Sequence, residues 1–217
     1  MDANELVNRL RRQASPANVA GMARYGINTG AALGVPMPVL RKLAREIGRD
    51  HRLARRHWAT GIHEARILAT LVEEPARVSP RQMDGWARAL DSWDVCDQAC
   101  QNLFRYTPFA FAKAEEWARA KQEFVRRAGL SLMAGLAVKA KDAPDARFEA
   151  FFPLIAEAAA DERNMVKKAA SWALRQIGKR NAGLREKAIA EAEKIRGMNS
   201  RSARWIASDV LRELRTR

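Results

Sequence analysis

The tightest constraint on this chain is a short helical pattern that recurs at the interval of one helix pair. Glu64-Ala65-Arg66-Ile67-Leu68-Ala69, Phe124-Val125-Arg126-Arg127-Ala128-Gly129-Leu130, Met165-Val166-Lys167-Lys168-Ala169-Ala170-Ser171 and Ser202-Ala203-Arg204-Trp205-Ile206-Ala207 are variants of one another. Small residues directly after Arg127 and Lys168 permit close helix packing, and apolar residues in all four segments fill the space between repeats. Arg66, Asp97, Arg127, Lys168 and Arg204 share one register, at separations of 31, 30, 41 and 36 residues. Paired-helix units of this length cannot bury their apolar faces alone, so they stack. The expected fold is therefore all-α: a curved α-solenoid of HEAT-like helical repeats with a basic concave face, forming a single domain over 1–217.

Helical periodicity runs almost throughout, and alternating β-branched runs are absent. The spacing predicts helices over 2–13, 16–25, 37–48, 51–59, 62–74, 80–91, 93–106, 109–120, 123–139, 146–160, 163–179, 183–196 and 201–215. Breaks fall at Gly34-Val35-Pro36, Glu74-Pro75, Ser79-Pro80, Thr107-Pro108, Ala143-Pro144 and Arg196-Gly197.

A net charge of +14 exceeds what solubility needs and points to a polyanion, foremost nucleic acid. No apolar run approaches the roughly 18–20 residues that span a bilayer. Residues 1–13 carry Arg9, Arg11 and Arg12 with Asp2 and Glu5 but no apolar stretch, unlike a signal peptide. A cytoplasmic monomer is expected. Cys96 and Cys100, one turn apart, suit a disulfide poorly and read as small core residues. His51, His57 and His63 do not converge on a helix, so neither metal nor cofactor is expected. The glycines of Gly26-Ile27-Asn28-Thr29-Gly30-Ala31-Ala32-Leu33-Gly34 lack the preceding strand and following lysine of a nucleotide loop, which leaves a flexible inter-helix connection.

Asp91-Ser92-Trp93-Asp94-Val95-Cys96-Asp97 is the most informative stretch. Asp91 or Ser92 can cap the helix that follows, and Asp94 suits its positive end. Trp93 lies one turn before Asp97 on the same face, as Trp172 lies one turn beyond Lys168. A solenoid would bring Trp93, Asp97, Arg127 and Trp172 to one strip. The plainer alternative makes Asp97 and Arg127 a structural ion pair and the tryptophans core. Against it, both indoles share the face of the charged residues.

Ser92-Trp93-Asp94-x-x-Asp97, the Arg-Arg-Ala of Arg126–Ala128 and Val166-Lys167-Lys168-Ala169-x-x-Trp172 resemble, in the same order, the AlkD-type DNA alkylation-repair glycosylases. The resemblance spans nearly the whole chain, from Met22-Ala23-Arg24-Tyr25 to Ala203-Arg204-Trp205. It implies a monofunctional glycosylase that excises positively charged alkylated purines, of the N3-methyladenine and N7-methylguanine type, from double-stranded DNA. It further implies Asp97 as the catalytic carboxylate and Trp93 and Trp172 as the aromatic pair against the lesion strand. Arg127 would hold phosphate and acid, and Tyr25 would lie near the nucleic acid. Ser92 stands where relatives place a second tryptophan and Pro36 where they carry a polar residue. The spacing from Asp97 to Arg127 is also shorter.

The chemistry suits these residues. An alkylated purine is already cationic and a good leaving group, so what remains is to stabilise an oxocarbenium-like sugar and orient water. A carboxylate does both, and indole faces add cation–π attraction. The resemblance implies lesion capture through the backbone, in an open groove without a base pocket. Arg66, Arg126, Lys167, Lys168 and Arg204 complete the expected DNA-binding set. The rival reading is a non-catalytic HEAT-repeat DNA-binding or damage-sensing module. A protein-interaction scaffold would leave the cations unexplained.

Overall fold

A computed structural model describes residues 3–216, and the expected helix start at residue 2 lies outside them. The chain divides into two compact units, Met1–Thr107 and Pro108–Arg217. Among the described residues there are fourteen α-helices and no strand. None of these helices is long and apolar enough to cross a membrane.

The first unit contains α1 (Ala3–Arg12), α2 (Pro16–Arg24), α3 (Met37–Ile47), α4 (His51–Ala59), α5 (His63–Val72), α6 (Pro80–Arg88) and α7 (Trp93–Asn102). Short 3-10 turns cover Pro75–Arg77 and Phe104–Tyr106. Polar caps start several helices: the Ser15, Asp50 and Ser79 side chains accept the amides of Asn18, Leu53 and Gln82, closing donors the first turn leaves open. The Trp58 and Trp86 rings stack at 4.1 Å between centroids, with Phe104 tilted against Trp86. α5 packs on α3, α4 and α7.

The second unit contains α8 (Ala110–Ala118), α9 (Glu123–Lys139), α10 (Asp145–Glu149), α11 (Phe152–Ala159), α12 (Asn164–Gly178), α13 (Ala182–Arg196) and α14 (Arg201–Arg215). The helix expected over 146–160 is thus two helices. Pro153 lacks an amide hydrogen and cannot continue an interior turn, but it fits the first turn of α11. Small residues do what the repeat pattern requires. A Cβ on Gly129 would sit 2.4 Å from the Ala118 nitrogen, so α8 and α9 touch backbone to backbone. Arg127, Lys168 and Arg204 lie on α9, α12 and α14, and α12 packs against both of the others. Arg66 and Asp97 lie likewise on the adjoining α5 and α7.

The connection over 26–34 is tied down rather than loose. Glu64, 1% exposed on α5, accepts the amides of Leu33 (2.8 Å), Gly34 (2.7 Å) and Val35 (3.3 Å). Gly34 has φ +77°, and a Cβ there would stand 2.3 Å from the Ser15 carbonyl oxygen, so no other residue fits. Replacing Glu64 with Ala leaves three amides without their carboxylate and should cost about 3 kcal/mol. Chemical denaturation measures that loss, and hydrogen exchange should show the Leu33–Val35 amides deprotected while α6 amides remain slow.

Candidate functional site

α7 begins where Ser92 adopts an extended backbone, so that Trp93 and Asp97 fall one turn apart on the same side of the helix. Both are half-buried, and both line one cavity of about 570 Å³ inside the first unit. α2, α3 and α5 supply the remaining walls, through Met22, Tyr25, Met37 and Ile67 among others. Asp97 therefore borders a half-open cleft. The Trp93 indole N–H donates to the Tyr25 carbonyl oxygen at 3.1 Å, fixing the ring against the end of α2. The Tyr25 ring itself is 75% exposed at the cavity edge.

Ser92 occupies the helix-capping position, but its hydroxyl donates to Asp94 Oδ1 at 2.6 Å instead of accepting a backbone amide. Asp94 also meets His63 Nε2, at 2.7 Å from its Oδ2. His63 is buried, and burial alone would lower its pKa. The Asp94 hydrogen bond and charge, with Glu64 and Asp91 nearby, outweigh burial and hold it above the ordinary histidine value. Burial pushes Asp94 upward in turn, but the hydrogen bond and charge of His63, the Ser92 hydroxyl and the Val95 amide carry it below the usual carboxylate range. The His63–Asp94 pair thus braces the first turn of α7 against α5. No sequence reading singled it out. The signal was there: His63 and Asp94 are 31 residues apart, the repeat interval that also separates Arg66 from Asp97.

The row of cations is not uniform. Arg66 donates to the Ala89 carbonyl (3.1 Å), reaches Asp91 at 3.4 Å and lies 5.5 Å over Trp58, so it closes the end of α6 within its own unit. Arg126 donates to the Ala118 carbonyl at the end of α8 and pairs with Asp161 at 3.1 Å and Glu157 at 3.4 Å. Arg127 is 5% exposed and donates to the Met165 carbonyl at 2.7 Å, joining α9 to α12. Lys167 lies 5.0 Å over the exposed Trp205 ring. Lys168 and Arg204 are exposed, and Trp172 is half-buried one turn beyond Lys168 on α12. Cys96 and Cys100 are buried in the core of the first unit.

The family model described as DNA alkylation repair enzyme matches residues 6–212. A solved structure described as a new family of proteins related to the HEAT-like repeat DNA glycosylases, with affinity for branched DNA structures, aligns with a TM-score of 0.81. It is 17% identical, and the alignment covers 98% of this chain and 95% of that one, which shows a common HEAT-like repeat fold. A designed armadillo repeat protein in complex with a peptide aligns at a TM-score of 0.43 and 14% identity, over 80% of this chain and 90% of that one. No curated protein matches the chain.

Removing the His63 imidazole should cost on the order of 2 kcal/mol at pH 5–6. Because folding raises the His63 pKa, its contribution is complete below 6.5 and fades as pH climbs through the folded value. The Asp94 contribution is present above 3.8 and fades as pH falls through its lowered value. The gap in melting temperature between wild type and His63→Asn should therefore be widest near pH 5–6 and narrow toward pH 9. His57 destabilises both proteins in acid, since burial, against the pull of Asp50, holds its pKa low. That effect cancels in the difference, so a gap independent of pH would rule out the charged pair.

Proposed function

Because the chain belongs to the DNA alkylation repair enzyme family, we propose that it is a DNA glycosylase. Its substrates would be cationic alkylated purines in duplex DNA, removed by hydrolysis of the N-glycosidic bond. The observation that carries this reading is the placing of Asp97 and Trp93 on one turn of α7, at the wall of one cavity. The bond to an alkylated purine already has a charged leaving group, so the protein's task is to stabilise positive charge growing on the sugar. The Asp97 carboxylate supplies the opposing charge and an acceptor that orients the attacking water. The Trp93 face adds cation–π attraction, and its bond to the Tyr25 carbonyl holds the ring in place. In the second unit, Trp172 is assigned to the lesion strand and Lys168 and Arg204 to phosphates, while the buried Arg127 joins α9 to α12 behind them.

Asp97→Asn keeps the shape but removes the charge. It should lower release of N3-methyladenine and N7-methylguanine from methylated duplex by about 100- to 1,000-fold. Duplex affinity should hold or rise. Chromatography of freed bases measures the first, and equilibrium binding the second. A wild-type protein that binds DNA yet frees no base would overturn the glycosylase reading.

The exposed and internal cations should also separate. Lys168→Ala and Arg204→Ala should each weaken duplex binding and reduce the slope of log affinity against log salt by about 1. Arg66→Ala should instead lower the melting temperature with little change in that slope. A salt titration and a thermal melt on the same three variants make the comparison.

A second reading is a DNA-binding module without base release, favoured by the affinity of the structurally similar protein for branched DNA. It requires tighter binding to a four-way junction than to a duplex of equal length, together with no freed base.

A further inference from the structure

The chain has 6 tryptophans, and they differ in what surrounds them. Trp58, Trp86 and Trp117 are buried, Trp93 and Trp172 are half-buried, and Trp205 on α14 is 41% exposed. Burial favours an indole more than almost any other side chain, so one left in solvent calls for a partner. α14 does not need this ring for its own packing. Ala203, Ile206, Ala207, Val210, Leu211 and Leu214 form its buried face. Trp205 stands on the opposite side, one turn beyond Arg201, next to Arg204 and two turns before Arg212, all of them exposed.

The surroundings of the ring are cationic. Lys167, reaching from the adjoining α12, holds its ammonium 5.0 Å over the indole, and Lys168 follows it in the chain, exposed. The acids of this region are engaged elsewhere. Glu162 accepts the Ser200 hydroxyl and the Arg201 and Ser202 amides at the start of α14. Asp209 holds the Ser171 hydroxyl, Arg175 and Arg212, and Glu213 holds Arg175 and Lys179. Among the described residues, Lys167, Lys168 and Arg204 have no carboxylate partner, so the indole sits in a field of positive charge.

A flat aromatic face ringed by cations complements the two parts of a nucleotide, because a base stacks on the indole while its phosphates meet lysine and arginine. Within a duplex both faces of a base are already covered by its neighbours, so the matching occupant is unpaired. An acidic peptide would satisfy the cations and leave the ring in water. We propose that Trp205 is a stacking platform for an unpaired nucleotide of a DNA strand, with Lys167 and Arg204 holding the adjoining phosphates. Arg204 is also the last cation of the register row, so the strand reaches the ring where it leaves a duplex held by Lys168 and Arg204. The site lies on the second unit and does not depend on Asp97 or on base release.

Trp205→Ala and Trp205→Phe test this, with a blunt duplex and the same duplex frayed at one end into two thymidine arms as probes. Neither change touches the buried face of α14, so both variants should melt near the wild-type temperature. Wild type should bind the forked probe about tenfold tighter than the blunt one at equal salt. Trp205→Ala should lose that preference, and Trp205→Phe should keep most of it, since a phenyl face also stacks. The slope of log affinity against log salt should be the same for Trp205→Ala as for wild type, because no charge is removed, whereas Lys167→Ala should reduce it by about 1. A wild type that binds the fork no tighter, or a folded Trp205→Ala that keeps the preference, would overturn the platform. Equal losses on blunt and forked DNA would also overturn it, by giving the ring to the duplex. A wild type that frees no base yet shows the Trp205-dependent preference would remove the glycosylase reading and keep this site.

Discussion

The first unit depends on one buried carboxylate. Glu64 takes three successive amides of the segment leading into α3, and that segment carries α2. Three charge-assisted bonds in a water-poor setting offset the cost of ordering a glycine-rich connection and a helix that buries nothing of its own. The same α5 turn supplies His63, which pairs with Asp94 at the start of α7. One turn of α5 therefore sets both the wall facing the candidate site and the helix that bears Asp97.

A basic excess can serve a partner or the fold, and here it is divided between them. Helix ends leave carbonyls without amides, and arginines fill several of these gaps. Arg49 reaches the Leu71 and Glu73 carbonyls, Arg66 that of Ala89, Arg126 that of Ala118, and Arg180 that of Ala137. Lys168 and Arg204 are exposed and remain for a polyanion. Net charge thus overstates the electrostatic footprint on a partner, and the register row contains two kinds of cation.

How much of this was legible in sequence follows from range. The pairing of Trp93 with Asp97 depends on a single helical turn, and the structure puts both at one cavity. The small residue at Gly129 signalled close packing of α8 and α9 for the same local reason. Ser92 could be placed at the helix start, but not its hydroxyl's choice of Asp94 over an amide. That choice depends on where Asp94 is held, and His63 holds it from 31 residues away.

Periodicity and repeat spacing were sufficient for an all-helical stack, and for Arg66 and Asp97 on adjoining helices of the first unit and Arg127, Lys168 and Arg204 on adjoining helices of the second, because both arise from 3.6-residue geometry and the length of a helix pair. Packing alone divided that row into internal and exposed members, since an arginine's partner is whichever helix end comes within reach. Packing also created the acid-edged cavity. A hollow is the space left between α2, α3, α5 and α7, and no single segment encodes the distance between them.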